Sequence, residues 1–402
     1  MSFQQGLSGL NAAAKGLDAV SNNVSNAATV GFKSAAAQFS DVFAASISGG
    51  GTAQIGIGVN LTQIKQSFTQ GNISVTNNPL DVAINGGGFF RLSDRGAITY
   101  TRNGQFLVDK DGYIVNATGA RLTGYAANAA GVIVPSSPTD LQISSADLTP
   151  KATSAGTIGM NLDSRDTVPV TAFNHTDPTT YNSSTAMTIF DSLGNSHVMT
   201  LYLRKTAANA WNMYTGLDGA APVTTTALAF NGGGSLTTPM PVTVLSGVNP
   251  GTGAANLTVT LDLSAATQYG STFGVSSMTQ DGYTSGRLSG LSISSEGVIQ
   301  GRYSNGQSRN LGQIVLANFA NPNGLQSLGG NQWSETVASG QPLIGAPNSG
   351  SLGALQSAAI EESNVDLTAE LVNMITAQRN YQANAQSIKT QDAIMQTLVN
   401  LR

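Results

Sequence analysis

The amino-acid sequence predicts a multidomain α+β protein, in which long terminal α-helices form a coiled-coil-like pair and two mainly-β domains lie between them, one inserted in the other. Three observations carry this reading. Apolar residues recur at helical spacing at both ends, turn dipeptides punctuate strand-like runs between them, and 402 residues with 40% hydrophobic content exceed what one core usually holds.

The first helix is read from positions 3, 7, 10, 14, 17, 21, 24 and 28, a seam that includes Phe3, Leu7, Leu10, Leu17 and Val24. Ser2 followed by Gln5 has the form of a capping box, so the helical segment is expected to span 1–28. Residues 29–78 are rich in Gly, Ala, Ser, Thr and Gln and read as a linker region with some strand. From Leu80 onward, strands are punctuated by Asn103-Gly104, Asp111-Gly112 and Thr118-Gly119, the spacing of a β-meander. The same punctuation returns at Glu296-Gly297 and Asn305-Gly306. Segments 79–149 and 280–362 are therefore expected to form one β-rich inner domain, interrupted by a Thr-rich, β-rich outer domain at 150–279. Within that insert, Thr185–Phe190 and His197–Arg204 read as a hairpin around the turn Asp191–Ser196.

At the far end Leu367, Met374, Tyr381, Ile388 and Met395 repeat every seven residues, with Leu371, Ala385 and Val399 offset by four. Neither Gly nor Pro occurs after Ala354, and Ser363 with Asp366 forms an S-x-x-D start. A helix of ~38 residues and roughly 57 Å follows, within a helical segment 363–402. Its other faces carry neutral amides such as Asn373, Gln382 and Gln396 where a solvated coiled coil would carry charges. Such a surface suits a helix among helices. An isolated pair would bury too little to offset its ordering entropy, so the ends are expected to order on assembly.

Composition narrows the function. Only 10% of residues are charged, against about 25% in ordinary soluble domains, and neutral polar side chains take their place. Surfaces of this kind meet copies of themselves with little charge to desolvate, which points to self-assembly. The net charge of −4, without a basic cluster, gives no footprint for nucleic acid. No apolar run is long enough for membrane insertion, and the first twenty residues lack the pattern of a cleaved signal peptide. There is no Cys, which excludes disulfides and thiolate metal sites.

The residues for catalysis are missing too. His175 and His197 stand alone, and all five Glu fall after position 290. Asp109-Lys-Asp111-Gly112 begins like a calcium loop but lacks its third acidic position and terminal Glu, so it reads as a hairpin turn. Asn85-Gly86-Gly87-Gly88 is followed by Phe89-Phe90 where a phosphate loop needs Lys and Ser or Thr. No enzyme, cofactor or metal site is expected.

Two terminal motifs add a resemblance. Asn26-Ala-Ala-Thr-Val-Gly-Phe-Lys33 resembles the signature of the flagellar axial family of rod, hook and junction proteins, and Ser363-Asn-Val-Asp-Leu367 with Gln378-Arg-Asn-Tyr381 resembles its C-terminal counterpart. On this resemblance Asn26, Gly31, Phe32, Lys33, Ser363, Asn364, Val365, Asp366 and Leu367 are the signature residues. Asn78–Ile84, Tyr100–Phe106 and Leu311–Phe319 are similar to the family's β domain. A large central insert implies the hook-type branch, with a distal rod subunit as the alternative and a secreted β-rich adhesin as a more remote one. The resemblance implies an extracellular homopolymer, a flexible tube that transmits torque and meets the distal rod protein, the hook cap and the hook–filament junction protein. It also implies passage through the flagellar type III export apparatus without a cleaved signal, and Phe39 with Phe43 fits the family's export gate motif.

Overall fold

The computed structural model describes residues 2–42, 56–144, 146–251 and 253–400. The chain resolves into two compact units, one of Met1–Ser144, Gly290–Arg302 and Ser308–Arg402, the other of Ser145–Ser289 and Tyr303–Gln307.

In the first unit α1 (Ser2–Ser25) and α2 (Leu367–Asn400) are the two α-helices among the described residues, one near each end. A hairpin of β1 (Ala35–Val42) and β2 (Gly58–Gln66) follows α1, pairing Ala35 with Gln66 and Val42 with Gly58. A thirteen-stranded sheet supplies most of the rest, running in part through Ser308–Ile314, Arg121–Ala126, Phe89–Asp94, Ala97–Thr101, Gln332–Ser334 and Gln326–Gly329. Phe89–Asp94 and Ala97–Thr101 are joined by Arg95 and Gly96, both at positive φ (51° and 93°), the two-residue turn whose twist suits adjoining antiparallel strands. Phe89, Tyr100, Phe319 and Trp333 are buried together, and Phe68 meets Phe89 edge-on at 5.4 Å.

In the second unit a five-stranded and a four-stranded sheet contribute side chains to one core that includes Leu162, Ile189, Leu201, Trp211 and Val259. The hairpin expected around Asp191–Ser196 is present, with Ser183–Phe190 paired to Ser196–Ala207 and Phe190 opposite Ser196. Trp211 Nε1 donates to Gln268 Oε1 at 3.1 Å, so the core indole is satisfied.

One turn recurs in both units. An Asp or Asn side-chain oxygen accepts the N–H groups two and four residues on, while a Gly at the fourth position takes positive φ. It occurs at Asp109, Asn116 and Asn128 in the first unit and at Asp191 and Asn231 in the second. The side chain thus replaces an external fastening. Asp109 is spent in this way, as the hairpin reading of that segment requires.

The predicted fold class needs correction. The helices do not form a separate coiled-coil-like pair; they pack as one bundle and belong to the same compact unit as the β1–β2 hairpin and the large sheet. Nor do the sheets close into the two nested β domains expected, since among the described residues the strands fall into six sheets, three of them with only two strands. The reason at the helices is local. Gly6 and Gly9 leave a flat place on α1 where an added Cβ would lie 3.1 Å from Ile388 Cγ1 and 2.7 Å from Asn384 Oδ1. Backbone meets side chain there, without knobs in holes. As a result α2 turns Met374, Ala377, Asn384, Ile388 and Gln391 partly inward, whereas Leu367, Leu371, Met395 and Val399 stay exposed.

Candidate assembly surface and its anchoring node

The start of α2 is set by Asp366, whose Oδ1 accepts the N–H groups of Thr368 and Ala369 at 2.9 and 3.1 Å. Ser363, expected to begin the helix, instead holds the N–H of Val365 at 3.3 Å in the approach segment. At α1 the Gln5 side-chain amide donates to the carbonyl of Gly56. Both helices expose large apolar groups. Phe3 and Leu7 on α1 and Leu367, Leu371, Tyr381, Met395 and Val399 on α2 are exposed, Val399 at 72%. Leu10, Leu17, Val24, Met374 and Ile388 are half-buried. Of the two export-motif residues, Phe39 lies half-exposed on β1 opposite Leu61, and Phe43 lies outside the described residues.

The inner ends of the helices lead into a buried polar node. After α1, Asn26 closes the turn to Thr29, and Gly31 takes φ 71° with its N–H on the carbonyl of Glu361 at 2.8 Å. A Cβ at Gly31 would lie 2.6 Å from the Asn103 amide nitrogen, so a larger residue cannot dock there. This places Lys33 wholly inside. Its Nζ donates to Glu361 Oε1 and to the Thr69 carbonyl, each at 2.7 Å. Arg102 approaches Glu361 Oε2 at 3.2 Å and donates to the carbonyl of Gly86 at 2.7 Å, with its guanidinium 5.6 Å from the Phe89 ring centroid. Glu361 Oε1 also accepts the Gly71 N–H at 2.9 Å.

Two amides extend the node. Asn364 Oδ1 accepts the Ser34 N–H at 2.8 Å while its Nδ2 donates to the carbonyl of Ser67, also at 2.8 Å. Buried Asn23 exchanges two hydrogen bonds with the backbone of Ala35 and donates to Glu370 Oε1 at 3.3 Å, joining α1, β1 and α2. The node sets two cations against one carboxylate. Burial pushes the Lys33 ammonium below its ordinary pKa, against the pull of Glu361, and does the same to the Arg102 guanidinium.

Thus Gly31, Lys33 and Asn364 of the expected signatures come together, with Phe32 and Val365 half-buried alongside, whereas Asp366 and Leu367 lie outward at the helix start. Glu361, Arg102 and Asn23 were not singled out for this role by the sequence. One signal for Glu361 was available: it is a carboxylate placed directly after Ala359 and Ile360 in a chain with few charges.

The second unit holds a different cluster. His197 Nδ1 faces Asp218 Oδ2 at 2.7 Å and its Nε2 faces Asp191 Oδ2 at 3.3 Å. Burial alone would lower the imidazole pKa, but the two carboxylates outweigh it and raise it above the ordinary 6.5. No nucleophilic hydroxyl is among the hydrogen-bond partners of this histidine in the described residues. Nor does any group of three His, Asp or Glu among them have the placement to hold a metal ion. No described helix is long and apolar enough to cross a membrane.

Comparison with known proteins covers most of the chain. Family models match residues 3–33 (flagella basal body rod protein), 83–146 (flagellar hook protein FlgE/F/G D1 domain), 161–283 (flagellar basal body protein FlaE D2 domain) and 356–401 (flagellar basal body rod FlgEFG protein C-terminal). The flagellar hook protein FlgE of Salmonella typhimurium is 45% identical and that of Escherichia coli 44% identical, each over 411 residues and the whole of both chains. The corresponding protein of Borreliella burgdorferi is 34% identical over 100% of this chain and 99% of its own. Among solved structures, the flagellar hook protein FlgE2 of Helicobacter pylori shares the fold over 72% of this chain and 100% of its own, with a TM-score of 0.54 at 15% identity.

Proposed function

The chain belongs to the flagellar hook protein family, and from that premise we propose how it polymerises: the exposed stripe of α2, with Phe3 and Leu7 of α1, is covered by the same elements of neighbouring copies in a helical tube. The protein is a structural subunit of the extracellular flagellar hook. A single observation carries the polymerisation reading. Leu367, Leu371, Met395 and Val399 stay exposed on a helix that already has an intramolecular partner. Burying each such side chain stabilises by roughly 1.5–3 kcal/mol, and a head-to-tail contact repeated around a tube buries them in every copy.

In this arrangement segments 1–28 and 363–402 line the inner wall, and 29–78 leads from the first helix into the strands. Flexibility comes from the sparse charge. Neutral hydrogen bonds and bridging water differ little in energy between neighbouring registers, so contacts exchange as each row of subunits shortens and lengthens in rotation. The tube would then transmit torque as a universal joint between the distal rod protein and the junction protein, growing beneath a hook cap. Secretion by the flagellar type III apparatus would use the segment from Phe39 to Phe43; deleting those five residues should stop secretion, and normal secretion of the deleted chain would remove that assignment.

The polymerisation reading is tested with Leu371→Asp combined with Met395→Asp. Electron microscopy should show no tubes, while the thermal transition of the second unit stays unchanged. Tubes of ordinary length from this variant would overturn the proposal.

A further inference from the structure

We infer that Glu361 is a folding interlock: it makes docking of the amino-terminal segment conditional on the carboxy-terminal segment, so that only a chain with both ends in place presents α1 and α2 side by side. The inference starts from Lys33, whose side chain has no exposure and whose ammonium touches one anion, Glu361. Arg102, almost as deeply buried, has the same carboxylate as its charged partner. Taking an ammonium and a guanidinium out of water without an anion is strongly unfavourable.

The partners are far apart in the chain, 328 residues for Lys33 and 259 for Arg102. Until residue 361 arrives, the segment after α1 cannot bury its lysine and the sheet around Arg102 cannot close. The same residue then fastens backbone on two sides, accepting Gly31 N–H at its carbonyl and Gly71 N–H at its side chain. Three residues later Asn364 receives Ser34, and the first turn of α2 receives Asn23. One carboxylate therefore couples both helices, and the coupling holds whether or not the α2 stripe is the polymerising surface.

The test is amide hydrogen exchange on the full-length monomer, comparing the natural chain with Glu361→Gln and with the double variant Lys33→Met/Glu361→Gln. In Glu361→Gln the amides of Gly31, Ser34, Ala35 and Gly71 should exchange on the order of a hundredfold faster, together, with the strands of the second unit unaffected. In the double variant, which removes the stranded ammonium, those four amides should recover at least tenfold of the lost protection. Unchanged exchange at Gly31 and Ser34 in the single variant would overturn the inference. So would a double variant that exchanges as fast as the single one or faster, including the case where neither folds its first unit.

Discussion

Among the described residues each compact unit holds an ionic cluster around a buried side chain, Glu361 in the first and His197 in the second, and the two are built inversely. In the first, two cations surround one anion, Lys33 and Arg102 around Glu361; in the second, two anions surround one titratable base, Asp191 and Asp218 around His197. Sequence separation differs as sharply, 259 to 328 residues in the first and 6 to 21 in the second. The first cluster closes only when distant segments meet. The second forms within a strand pair and its turns, and its strength follows the protonation of one ring. A buried charge can therefore serve long-range order or local tuning, depending on where its partners lie in the chain.

The sharpest break of this contrast is Glu361→Gln. It leaves two cations without an anion and should destabilise the first unit by about 3–5 kcal/mol, read as a separate, earlier thermal transition with the second unit's transition in place. Gly31→Ala comes next. Its backbone lies in the left-handed region and the new methyl would press on Asn103, so a loss of at least about 2 kcal/mol is expected in the same transition.

His197→Gln probes the other side of the comparison, with an expected loss of about 1–2 kcal/mol at pH 6 in the second unit. The pH dependence carries the sign. Because the folded pKa of His197 lies above 6.5, its contribution is complete below 6.5 and disappears as pH rises through the folded value. The natural chain should lose second-unit stability on that rise and the variant should not; equal slopes in thermal melts across the window would refute the assignment. The smallest effect is Asp366→Ala, about 1 kcal/mol from the lost helix cap, seen as faster exchange of the Thr368 and Ala369 amides.

The helices were legible because their signals are local. A stretch free of Gly and Pro after Ala354 and a seven-residue apolar repeat suffice to place α2, although its start moved to Asp366, whose side chain does the capping. How the helices meet was not legible. The repeat assigned Leu371, Met374, Ile388 and Met395 to one seam, but where Gly6 and Gly9 admit Ile388 and Asn384 only part of it turns inward, and Leu371 and Met395 stay exposed. The hairpin around Asp191 was readable for the same reason as the helices, since its turn is closed by its own side chains. Lys33 was singled out through its motif, but its partner was not, because a pairing across 328 residues leaves no periodic trace in the chain.

The turn shared by Asp109, Asn116, Asn128, Asp191 and Asn231 has a consequence for a surface so poor in charge. Each corner carries its own clasp, an oxygen three bonds from its own Cα holding the N–H groups that follow. Strand reversal then needs no salt bridge to a neighbouring loop, and the outward faces between corners are free to be shaped for whatever lies against them.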